Sequence, residues 1–119
     1  MKSIELPFKI LFFLFLFIST YYFLVPLENV GPGIPHFDKV AHFGVFFVLS
    51  GLLTFGFKPT NKTVYILAFC YGLAVELTQG LLAYRSASVP DLVADMLGVI
   101  AFVYLQPKIQ QILIMRNDD

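Results

Sequence analysis

Charge is what this sequence has least of. Only 13% of its 119 residues are Asp, Glu, Lys or Arg, against roughly a quarter in a soluble globular domain. The formal net charge is zero and no basic tract occurs, which excludes the electrostatic footprint of a nucleic-acid-binding protein. Cysteine occurs once, as Cys70 inside an apolar run, so neither a disulfide framework nor a cysteine-based zinc site can be built. The two histidines, His36 and His42, stand in no compact ligand-spacing motif with the acids. Spacing therefore gives no reason to expect a metal or a cofactor.

What the chain does have is apolar length: 58% of its residues are hydrophobic and the mean hydropathy is +0.79. A bilayer core about 30 Å thick needs about 20 mostly apolar helical residues, and four such stretches fit, at about 7–25, 39–57, 63–84 and 90–114. Between them lie "PLENVGPGIPHFD", "KPTN" and "RSASV", all with turn chemistry. The expected fold class is all-α, a membrane four-helix bundle forming one domain over residues 1–119. The first stretch has the flanking lysines of a signal peptide, but "STYYFLVP" lacks a small-x-small cleavage pattern, so it is expected to be retained. Its six phenylalanines between Phe8 and Phe23 suit a lipid-facing helix.

With four spans, Lys2, Lys9, Lys58, Lys62, Lys108 and Arg116 fall on one side, and Lys39 and Arg85 on the other. The positive-inside rule then places the N- and C-termini in the cytoplasm. Span two starts on the outward side, span three ends there and span four begins there. One zone thus collects Asp38, Lys39, His42, Glu76, Gln79, Arg85, Asp91 and Asp95.

Within that zone, Asp38, Lys39 and His42 can share one helix face, either as a binding cluster or as an interfacial anchor in which Asp38 caps the helix and Lys39 snorkels. Glu76 lies eight residues before Tyr84, roughly 12 Å below the expected span end. A carboxylate at such depth normally faces the bundle interior. Ala68, Gly72, Glu76 and Gly80 recur at four-residue spacing, a small-residue stripe that lets a neighbouring helix approach; Gln79 extends it. In "SVPDLVADMLG", Ser88 can cap span four with Asp91 three residues on. Asp95 sits one turn deeper, followed by Gly98, and this face is expected to oppose the Glu76/Gly80 face across a tight hairpin. Arg85 can pin the loop or capture an anionic group. Four carboxylates against two cations leave an excess of negative charge in low dielectric, relieved if a carboxyl is protonated, if His42 is charged, or if a cation binds.

The motifs "DKVAHF", "GLAVELTQ", an arginine and "VPDLVADMLG", in that order over residues 37–98, resemble the VanZ-like family of small bacterial membrane proteins. That family's pattern has D-K-x-x-H-F, E-x-x-Q, an arginine and D-x-x-x-N-x-x-G, so Asp95 stands where the pattern has asparagine. The resemblance implies a multi-pass protein of the bacterial cytoplasmic (inner) membrane, with a link to low-level teicoplanin resistance through the founding member. It supplies no reaction.

Three functions fit these residues. One is an envelope protein whose outward polar pocket binds a membrane lipid, lipid carrier or lipoglycopeptide without altering it; Ser86 and Ser88 offer no activated nucleophile. Another is an enzyme on a lipid-linked substrate, with Glu76 or Asp95 as general acid, His42 as base and Arg85 on a phosphate. The third is a proton relay, which the absence of inward polar residues in spans one and two disfavours. Four helices make a thin bundle, compatible with a homo-oligomer.

Overall fold

The computed structural model describes residues 2–25, 37–82 and 88–117. They form four helices, α1 (Lys2–Leu24), α2 (Phe37–Phe57), α3 (Asn61–Leu81) and α4 (Val89–Asn117), and no strand among the described residues. Each helix contains a stretch long and apolar enough to cross a bilayer, so the protein is a multi-pass membrane protein. Residues 26–36 of the sequence-predicted Pro/Gly loop and Arg85 lie outside the described residues, while the last two of that loop, Phe37 and Asp38, begin α2.

The short link between α2 and α3 shows how the chain reverses. Lys58 adopts φ 54°, and its N–H donates to the Thr54 carbonyl at 2.9 Å, closing α2 with a left-handed residue. Pro59 cannot continue the helix. Thr60 is extended (φ −68°, ψ 157°), and its side chain accepts from the Thr63 N–H at 3.2 Å, capping α3. Thr60→Ala is expected to lower stability by about 1 kcal/mol, read as a shift of the unfolding midpoint in detergent micelles.

α2 is the central helix: it packs most extensively on α4 and next on α1, while α3 leans on α4 and touches α1 and α2 little. Two glycines allow the close approaches. Gly56 of α2 lies against the Lys9 and Phe8 backbone of α1, and Gly98 of α4 lies against the Phe43 and Phe47 backbone of α2, where any side chain would intrude. The structure departs from the predicted Gly80/Gly98 face: Gly98 meets α2 rather than α3, and Gly80 is exposed. The α3 face that turns inward instead holds Val64, Gly72, Val75, Glu76 and Gln79.

The apolar core is Phe23, Phe46, Val64, Val75 and Val99, extended by Phe102, which meets Phe47 and Phe55 edge-on at 5.7 and 5.8 Å. Leu6, Ile10, Phe13, Leu14, Phe17 and Ile18 of α1 are exposed, as a lipid-facing helix requires. At the end where α1 begins and α2 ends, Lys58 pairs with Glu5 at 3.1 Å. The opposite end gathers the polar residues. Because α1 and α3 hardly meet, an apolar cleft of about 390 Å³ lies between them over α2, lined by Phe12, Leu16, Phe46, Leu53, Ala68 and Tyr71 among others.

Candidate functional site

The site is built from three helix ends, and its logic starts at the first turn of α4. The Ser88 hydroxyl accepts the Asp91 N–H at 3.2 Å, the N-cap that the sequence predicts. In a reciprocal capping box the third residue's carboxylate would turn back to the cap N–H. Here Glu76, from α3, occupies that role: its Oε1 accepts the Ser88 N–H at 2.8 Å. The Asp91 carboxylate is thereby released towards α2.

On α2, Lys39 Nζ donates to Asp91 Oδ1 at 3.1 Å and to Asp38 Oδ2 at 3.0 Å. Asp38 is exposed at the rim, in the first turn of α2, where negative charge is favoured by the helix dipole. One turn deeper, His42 Nδ1 bonds Asp95 Oδ1 at 2.7 Å. Its Nε2 faces Asp91 Oδ2 at 3.7 Å, beyond hydrogen-bonding distance. His42 also stacks on Phe23 of α1, centroids 4.4 Å apart and planes 21° from parallel, so the ring is held on two sides.

Asp95 is completely buried, and Glu76, His42 and Asp91 are each less than a tenth exposed. The predicted crevice is thus a closed cluster among the described residues, with Lys39 and Asp38 at its edge. Gly72 makes room for it: a Cβ there would sit 3.0 Å from Asp95 Oδ2 and from Leu92 Cδ1. His42, Glu76 and Asp91 each bring one ligand-type atom to within 4.8 Å of the other two.

Glu76 itself is nearer the bundle end than expected, because α3 stops at Leu81, with Leu82 as its cap. Five residues separate Glu76 from that end, roughly 7.5 Å of helix. Gln79 departs from the predicted pattern in another way. Its amide nitrogen donates to the Phe23 carbonyl at 2.7 Å, tying α3 to α1 rather than to the acids. Phe23 is the residue that sequence reasoning missed, since nothing distinguishes it from the five other phenylalanines of its helix.

The VanZ/LLP1 family model matches residues 2–110. The chain belongs to the VanZ/LLP1 family. It is also 30% identical over 116 residues to an uncharacterized protein of Schizosaccharomyces pombe, an alignment that covers 89% of this chain and 69% of the yeast protein. No solved structure matches. The VanZ/LLP1 match spans all three helices that supply the polar cluster, and α1 with its Phe23 as well.

Proposed function

We propose that this VanZ/LLP1 protein binds a membrane amphiphile, its polar headgroup at the Asp38 and Lys39 edge of the cluster and its acyl part in the cleft between α1 and α3. The observation behind this reading is the succession along α2: Lys39 and His42 at the polar end, then Phe46, which lines an apolar cleft of about 390 Å³. Ligand pockets of this kind run from about 300 to 1,000 Å³. Phe13 and Leu67 line the cleft and are exposed, so it is reached from the flank of the bundle, where acyl chains lie. With the polar end outward, as the positive-inside distribution predicts, the site would suit an envelope lipid or lipid carrier of a bacterial inner membrane. A relative in a fungus favours a lipid over a lipoglycopeptide as the ligand class. A resistance role would then follow from handling lipid-linked envelope precursors.

Photocrosslinking with a bifunctional lipid probe tests the reading. Ala68→Phe, which fills the cleft, and Glu76→Gln, which weakens the hold on the α4 cap, are each expected to reduce labelling about tenfold, equivalent to roughly 1.4 kcal/mol of binding. Labelling undiminished in both variants would discard the site.

The 2.7 Å His42–Asp95 bond favours a second reading, a membrane enzyme acting on a lipid-linked substrate. A carboxylate that orients an imidazole is a general-base arrangement. Turnover of a lipid-linked phosphate by purified protein, lost in Asp95→Asn, is what it requires.

A further inference from the structure

We infer that His42, Glu76 and Asp91 form a binding site for one divalent transition-metal cation of the Zn²⁺ or Mn²⁺ class, with Asp95 positioning His42. The three side chains come from three different helices, so no spacing in the sequence announces them. Their ligand-type atoms lie within 4.8 Å of one another. Around an ion with bonds of about 2.0–2.2 Å, neighbouring ligand atoms stand roughly 3–3.5 Å apart, and the His42 Nε2 to Asp91 Oδ2 separation is 3.7 Å. Small rotations of buried side chains close that difference.

Two further observations point to a cation. Glu76 Oε2 and Asp95 Oδ2 are buried oxygens with no hydrogen-bond partner among the described residues, in side chains that are 4% and 0% exposed. An ionised carboxylate left this way in an apolar bundle is costly, and a cation beside Glu76 removes that cost. The second is the imidazole. With Asp95 ionised, Nδ1 donates to it and Nε2 is the unprotonated ring nitrogen, facing Asp91 Oδ2. A ring nitrogen and a carboxylate oxygen 3.7 Å apart attract each other only through a positive centre, either a proton on the ring or a cation between them, and of the two a cation also serves Glu76. A carboxylate on the distal ring nitrogen is also the usual second-shell support of a metal-bound histidine.

The chemistry of the donors selects the ion. One imidazole nitrogen with two carboxylates suits a borderline cation, whereas Cu(I) and iron–sulfur centres need thiolates; Cys70 is exposed and stands apart. Lys39 already holds Asp91 Oδ1, leaving Oδ2 for the ion. Three protein ligands keep a coordination position open, so the ion would present a Lewis-acidic face at the polar end of the bundle. The inference rests on side-chain geometry and is independent of lipid capture.

The test uses the full chain, purified in detergent and stripped with chelator. Calorimetric titration with ZnCl₂ or MnCl₂ is expected to give one saturable site, weakened about tenfold or more by Glu76→Gln and by Asp95→Asn and unchanged by Cys70→Ser. The zinc absorption edge of the loaded wild-type chain is expected to show oxygen and nitrogen neighbours at about 2.0–2.2 Å, one imidazole among them, and no sulfur. This second measurement decides the matter even where a variant loses its helical circular dichroism. Absence of saturable binding, a sulfur neighbour, or full affinity in a folded Glu76→Gln chain overturns the site. Lipid labelling of the metal-free chain, or metal binding without labelling, separates this result from the amphiphile reading.

Discussion

Gly98→Ala is expected to destabilise the bundle by about 3 kcal/mol, although it adds a single methyl group. The Cβ would collide with the Phe43 carbonyl oxygen and press to 3.1 Å on the Phe43 carbonyl carbon and on the Phe47 nitrogen. All three are backbone atoms of α2. A side chain in the way can rotate, but here a whole helix must move, which sets the cost at the upper end of the 1–3 kcal/mol typical of overpacking. The displacement is transmitted to the site, because α4 carries Asp91 and Asp95 and α2 carries their partners Lys39 and His42. Gly44→Ala is the matched control: nothing lies within 4 Å of its Cβ, and alanine is the better helix former, so stability should hold or rise slightly. Unfolding by a denaturing detergent, followed by helical circular dichroism, measures both. Equal midpoints for the two variants would mean that α2 and α4 do not meet at Gly98.

The four helices were legible because the signal that specifies them is additive over about 20 residues, and local errors average out. The predicted 39–57 and 63–84 segments correspond to Phe37–Phe57 and Asn61–Leu81; α2 begins two residues earlier, and capping at Thr60 and Leu82 sets the ends of α3. Hydropathy starts the first span at Pro7, yet Pro7 lies within α1, in the second turn of the helix.

The site was legible in part, and for a different reason. Alternating chain direction forces the start of α2, the end of α3 and the start of α4 to one end, so an excess of polar residues in those segments must share a depth. Pairing within that depth is not specified by sequence separation. The helix-cap arithmetic identified Ser88 and Asp91, but not that Glu76 from α3 completes the cap. Helical periodicity put Gly98 on the Asp91/Asp95 side of α4 without showing that it turns to α2. The stack of Phe23 on His42 had no signal at all, since periodicity in an all-apolar helix does not reveal which side faces inward.

His42 is where the next large effect is expected. Truncation to alanine removes the Phe23 stack and leaves Asp95, wholly buried, without its 2.7 Å partner; stranding one member of a buried charged or polar pair costs about 3–5 kcal/mol. Packing and electrostatics separate cleanly if phenylalanine is used instead. His42→Phe restores an aromatic ring against Phe23 but offers Asp95 nothing, so most of the loss should persist; were the loss mainly packing, stability would return. Adding Asp95→Leu to His42→Phe replaces the polar pair with an apolar one, which for buried pairs is often neutral or better. The double variant is therefore expected to recover most of the stability lost by His42→Phe, a coupling of about 2 kcal/mol in a double-mutant cycle, read from unfolding midpoints in the same detergent. Additive losses would mean that the two side chains act separately, and the positioning role assigned to Asp95 would go with them. The double variant should also lose metal binding while staying folded, because it removes one proposed ligand, His42, together with the residue that positions it.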